Sequence, residues 1–163
     1  MGICPSELIH LVIRPTLKYL GEDNEDARFL LMATAAMESE LGFHLIGSKH
    51  KGIGVYQISA KCHRNVWDKY LVNNPELASK VRGLASQHEF LANPHQELAT
   101  NLRYATAIAW LIYKRKTSDI PKARDLDSVA RFWRRHFHSR PHASVERFME
   151  RVKPLLEADC RAA

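Results

Sequence analysis

Ala35-Ala36-Met37-Glu38-Ser39-Glu40-Leu41-Gly42 sets a carboxyl among small and apolar residues, and the positions around it repeat with a helical period. Ala27, Leu31, Thr34, Glu38 and Leu41 follow one another at intervals of three and four, so at about 100° per residue they share one face. Glu40 points roughly the other way. Asn24 is suited to cap the start of this helix, Glu25 and Asp26 to its positive end, and Gly42 to its close. The spacing therefore predicts a helix that carries Glu38 on its buried stripe. A carboxyl held among apolar side chains has its charged form disfavoured, which is the setting of a general acid at neutral pH. Taken alone, the helix is equally open to a structural Glu neutralised by one of the many Arg and Lys residues.

A second motif follows. Gly54-Val55-Tyr56-Gln57-Ile58 comes after the glycine-bearing loop Gly47-Ser48-Lys49-His50-Lys51-Gly52. Glu38-Ser39 followed at this distance by Gly-x-x-Gln-Ile resembles the first two motifs of the lytic transglycosylases that share the lysozyme fold. Asn101, on a face with Leu98, Ala105 and Ile108, is similar to that family's Asn-bearing helix, and Phe137-His138-Ser139 falls where the family has Tyr-Asn and a small residue. Arg14-Pro15-Thr16-Leu17, His63 and Trp67 resemble the small phage-encoded members in particular. The likeness extends over nearly the whole chain.

The resemblance implies a mainly α, lysozyme-like fold: a helical bundle with a small irregular or β loop region lining a sugar groove, as one domain over residues 1–163. It implies Glu38 as the single catalytic acid/base, with Ser39, Tyr56, Gln57, Ile58, Asn101, Phe137 and His138 on the substrate side. Phe137 and His138 depart from the family pattern, because Phe137 lacks the hydroxyl expected to bond the Glu or the substrate and His138 puts an imidazole in place of an amide. Tyr56 stands where many members have Met; its ring is suited to stack on a sugar and its hydroxyl to donate a hydrogen bond. Tyr104 is the second aromatic candidate for that role.

The implied reaction needs one acid. Glycoside hydrolases usually pair two carboxylates; a lytic transglycosylase cuts the N-acetylmuramic acid to N-acetylglucosamine bond with one Glu, and the sugar's own C6 hydroxyl closes a 1,6-anhydro ring. Glu40 is on the wrong face to be a second acid, and Asp68, in Val66-Trp67-Asp68-Lys69-Tyr70, reads as a solvated or capping residue. A goose-type lysozyme-like hydrolase is the alternative enzyme, and a catalytically idle virion part of the same fold the non-enzyme alternative. The chemistry requires no cofactor.

Composition sets outer bounds. A chain of 163 residues with 45% hydrophobic residues holds one real core and is short for two domains. No apolar run approaches the ~18 residues that span a bilayer. Met1-Gly2-Ile3-Cys4-Pro5 lacks a basic start, and Glu7, His10 and Arg14 interrupt the next apolar segment, so no export signal is read. Synthesis in a host cytoplasm, followed by action in the periplasm or wall through holin release or carriage in a virion, fits that reading. Cys4, Cys62 and Cys160 are odd in number and far apart, which favours a reducing compartment. His136, His138 and His142 are spaced poorly for a metal across the Pro141 turn, so no metal is expected.

The formal net charge of +6 indicates an anionic partner. Peptidoglycan strands, with carboxylates on their stem peptides, satisfy this directly, and other virion proteins are further partners of a phage-borne member. The densest cluster is Arg131, Arg134, Arg135, His136, His138 and Arg140. A helical nucleic-acid binder would explain that charge and leave Glu38 and the Gly54–Ile58 segment unaccounted for. Elsewhere the sequence predicts helices after Ser6 (ended or bent at Pro15), from Pro75 to about Phe90, from Pro94 to about Lys116, after Asp125 or Asp127, and from about Ser144.

Overall fold

The computed structural model describes residues 2–47, 52–137 and 144–159, with side chains as far as Leu156. The chain begins with α1 (Pro5–Glu7), a π-helical stretch (Leu8–Ile13) and α2 (Arg14–Leu20), which run on as one helical rod. Pro15 neither ends nor sharply breaks it. The backbone widens to π-type bonding just before the ring, which relieves the clash a proline makes with the carbonyl one α-turn back. The Thr16 hydroxyl then donates to the Val12 carbonyl over 2.7 Å. Gly21, at φ 77°, closes the rod.

α3 (Glu25–Ser39) is the central helix. Asn24 caps it by accepting the Ala27 N–H over 2.9 Å, and Glu25 and Asp26 occupy its first turn, as the sequence indicates. Its burial differs from the expected stripe. Phe29 through Ala36 are all buried, because the run Phe29-Leu30-Leu31-Met32-Ala33 is apolar on every side and such a helix is enclosed by others. The first turn, at Glu25, Asp26 and Arg28, and the last, at Met37 and Glu38, reach the surface.

A small antiparallel sheet follows, β1 (Gly52–Ile53) with β2 (Ile58–Ser59), in which Gly52 faces Ser59 and Ile53 faces Ile58. Then come α4 (Ala60–Lys69), α5 (Pro75–Leu84), α6 (Gln87–Ala92), α7 (Glu97–Thr100) and α8 (Leu102–Lys114). Two expected helices are each divided in two by a polar cap: Ser86 accepts the Glu89 N–H at the start of α6, and Asn101 accepts the Tyr104 N–H at the start of α8. α9 (Leu126–His136) starts at Asp125, whose carboxylate accepts the Ser128 N–H, and α10 (Val145–Asp159) lies against α9 and α3. One cluster of buried side chains joins α2, α3, α8, α9 and α10, with Trp110, Trp133, Tyr56 and Tyr113 among its largest members. Among the described residues no helix is long and apolar enough to cross a membrane.

Candidate active site

Glu38 sits on the last turn of α3, half-buried rather than enclosed. The Trp133 indole N–H on α9 donates to its carboxylate over 3.0 Å. Trp133 is itself 2% exposed, its ring packed in the core at a tilt, 5.5 Å from Phe148. A buried indole needs an acceptor for its single N–H, and Glu38 provides it. Sequence periodicity places Trp133 inward and gives no hint of this bond, which comes from a residue far along the chain.

The backbone beyond Glu38 is unusual. Glu40 and Leu41 both adopt left-handed conformations, at φ 54° and 59°, before Gly42 at φ 84°. Gln57, at φ 47°, is the third non-glycine residue of this kind among those described. Each costs a side-chain-bearing residue about 1–2 kcal/mol, and such strain collects where a fold holds a functional geometry. All three lie in the two motifs that the sequence singles out.

Ser39 joins those motifs. Only 3% exposed, its hydroxyl donates to the Val55 carbonyl over 2.5 Å and accepts the Gly42 N–H over 2.8 Å. It fastens the end of α3 to the Gly54–Gln57 turn, so it positions rather than contacts a substrate. Gly54 explains its own identity: at φ 77°, a Cβ there would lie 1.7 Å from the Leu98 carbonyl oxygen of α7. Gln57 stays half-buried, its amide donating to the carbonyls of Gly54 over 2.9 Å and His44 over 3.2 Å. The two motifs are thus brought together around the end of α3.

Other expected site residues are core or scaffold. Tyr56 is fully buried, its hydroxyl 3.0 Å from Thr106 Oγ1, which itself donates to the Leu102 carbonyl. It offers no ring face to a sugar, and burial holds its phenol protonated. Ile58 is 2% exposed on β2. Asn101 spends its side chain on the Tyr104 N–H, the Leu84 carbonyl and Glu97. A helix cap next to a buried carboxylate uses all these bonds internally, so Asn101 organises α7 and α8 instead of lining a groove.

Tyr104 is buried as well. The Trp67 indole donates to its hydroxyl over 2.8 Å, and that hydroxyl lies 2.6 Å from His63 Nε2. Trp67 can only donate, so the Tyr104 oxygen accepts from it, and the chain of contacts continues from His63 Nδ1 to His95 Nδ1 at 2.8 Å. Burial, with the neighbouring His95, pushes His63 down to about 4. Trp67 and His95 are therefore the ends of one chain of contacts that runs through Tyr104 and His63.

Phe137 closes α9 and lies 5.2 Å from the Tyr113 ring, which is also stacked on Phe132. The Tyr113 hydroxyl meets Thr34 Oγ1 at 2.7 Å, one turn before Glu38 on the same face of α3. Burial raises the Tyr113 phenol, and the Glu38 charge adds to this. The donor to Glu38 that the resemblance expects at position 137 is found instead on Trp133, one turn earlier on α9. His138, Ser139 and His142 lie outside the described residues.

Other carboxylates are poorly placed to share Glu38's work. Glu40 is paired with Arg151 at 2.8 Å, Asp68 is exposed on α4, and Glu97 is 1% exposed beneath Ser86 and Asn101. A cleft of about 430 Å³ lies on the Ala36 and Glu40 side of α3, lined by Ile3, Leu41, Phe43 and Leu155, and so turned away from Glu38. Among the described residues no three His, Cys, Asp or Glu side chains gather to hold a metal. No protein-family model, curated protein or solved structure matches the chain.

Proposed function

We propose that this chain is a peptidoglycan-cleaving lytic transglycosylase of lysozyme-like fold, with Glu38 as its one acid/base. The observation that carries the reading is the placement of Glu38: a part-exposed carboxyl at the end of an otherwise buried helix, held by the Trp133 N–H and tied through Ser39 to the Gly54–Gln57 turn. The motif resemblance and the strained backbone on both sides of the site support it.

In this mechanism protonated Glu38 donates to the glycosidic oxygen between N-acetylmuramic acid and N-acetylglucosamine. The neighbouring N-acetyl group stabilises the cationic centre, and ionised Glu38 then takes the proton of the C6 hydroxyl as that oxygen attacks C1. The Trp133 N–H is aimed at the carboxylate that exists between these steps, the form to which a hydrogen bond is worth most. Both proton transfers use one group, consistent with Glu40 being engaged by Arg151. The same reading places the protein at the bacterial wall, reached through a holin or in a virion.

Mass spectrometry of fragments released from purified peptidoglycan by the wild type and by Glu38→Gln tests the proposal. Anhydro-ended muropeptides that require Glu38 are expected. Reducing ends would make it a lysozyme-type hydrolase, and no release by wild type across pH and salt would leave an idle structural protein.

A further inference from the structure

Lys116 Nζ, just beyond α8, donates to the His136 carbonyl at the end of α9 over 2.5 Å and so pins two helix C-termini together. Arg115 lies beside Lys116 in the chain, its guanidinium 3.6 Å from the Cys62 sulfur, and Arg135 precedes His136. These side chains press on one another. After burial, the Arg115 charge is what lowers Lys116, and the Lys116 and Arg135 charges are what lower His136.

Among the described residues none of the four has a carboxylate partner, whereas Arg131, read from the sequence as part of the same basic cluster, is paired with Asp127 at 2.6 Å. Two helix C-termini supply a negative charge of about 0.5 each. That offsets roughly one of the three permanent cations and leaves the edge strongly positive. The cluster lies at the end of α9, one turn past Trp133, the donor to Glu38, and the His136 ring is 4.5 Å from Phe132 in the aromatic group beside Phe137.

We propose that Arg115, Lys116, Arg135 and His136 form an oxyanion-binding site that holds a carboxylate or phosphate of the wall polymer next to the bond Glu38 cuts. This rests on the proposed function for the identity of the polymer; the anion site itself rests on the cluster. A bound anion would offset mutual repulsion that no carboxylate among the described residues answers, and would fix where along the strand Glu38 meets a bond.

The test is co-sedimentation of the full chain with purified sacculi, in a Glu38→Gln background so that strands are bound and not cut. Lys116→Gln/Arg135→Gln should weaken binding about tenfold at low salt, with the difference shrinking as salt rises, while Arg131→Gln binds as the parent does. If the difference disappears on strands stripped of stem peptides, the ligand is a carboxylate; if it persists on stripped strands that retain phosphodiester polymers, the ligand is a phosphate. Where the parent binds, equal binding by the double variant to every preparation overturns the site. Because Lys116 also bonds a backbone carbonyl, the exposed Arg135→Gln is measured alone and should give part of the effect with an unchanged melting temperature.

A second arm titrates the wild-type chain with inorganic phosphate and follows the His136 ring by NMR. A saturable shift that Arg135→Gln weakens supports the site, and no saturable shift at His136 refutes it. Phosphate binding at His136 without any sacculus binding by the parent would keep the anion site and reject the wall polymer as its ligand.

Discussion

Trp133 on α9 donates its indole N–H to Glu38 on α3 over 3.0 Å, joining two helices at the one carboxyl to which the proposed chemistry is assigned. We predict that Glu38→Gln abolishes wall cleavage with an unchanged fold, since amide and carboxyl share a shape and only the acid gives up a proton. Trp133→Phe keeps an aromatic ring in the core and removes the donor. Hydrogen bonds to charged groups are worth roughly 1.5–3 kcal/mol, so the rate should fall roughly ten- to a hundredfold in turbidity assays on sacculi. Full activity in Trp133→Phe would make this bond a matter of packing.

Gly54 is held by contact as well as by conformation, and a paired substitution separates the two. A Cβ at Gly54 meets the Leu98 carbonyl at 1.7 Å, while at Gly21, also φ 77°, it meets nothing within 4 Å. Gly21→Ala should cost about 1 kcal/mol, the strain of the left-handed region alone. For Gly54→Ala we expect roughly 3 kcal/mol or more, or about 10 °C in Tm, because β1, β2 or α7 must shift. Similar melting of the two variants would show that the Gly54 turn tolerates displacement.

What was legible in the sequence was the local grammar. Asn24, Asp125 and the acidic first turn of α3 act through neighbouring backbone N–H groups, and such short-range bonds are written in adjacent residues. The mainly helical character followed from periodicity. Enclosure did not: the middle of α3, from Phe29 to Ala36, is buried on all sides because of what α8, α9 and α10 bring to it, and a single helical stripe cannot report that. The bonds Trp133–Glu38 and Ser39–Val55 were equally invisible, since each depends on where a distant element arrives. Asn101 begins a new helix and does not sit within one, and a capping Asn inside an otherwise helical pattern looks like a polar helix residue.

Tyr56 illustrates the same limit and yields a direct test. An aromatic next to a groove motif suggests a sugar platform, yet the ring is fully buried with its hydroxyl on Thr106. Tyr56→Phe should lower stability by about 1 kcal/mol, the usual net value of one buried hydrogen bond, and leave affinity for sacculi unchanged. Weaker binding at unaltered stability would return Tyr56 to the substrate.

The His63 relay gives stability a pH dependence that the catalytic proposal does not. Burial first, and the His95 charge second, hold His63 at about 4 in the folded chain, against about 6.5 for an unperturbed imidazole. The folded state therefore binds fewer protons than the unfolded state between those values, so stability is complete above about pH 6.5 and falls as pH drops toward 4. At 1.36 kcal/mol per unit the full loss is roughly 3 kcal/mol. Asp23, lowered by its bond from Arg28, and Asp26, lowered by the Ala123 N–H, lose their contributions at more acid pH, because an unfolded Asp titrates near 3.9. Thermal melts of wild type and His63→Gln at pH 7.5, 5.5 and 4.5 should diverge in this window, with the wild-type Tm falling more steeply. Gln can still bond the Tyr104 hydroxyl, so parallel Tm curves would mean that His63 is charged in the folded protein and that its proton is not the one withheld by burial.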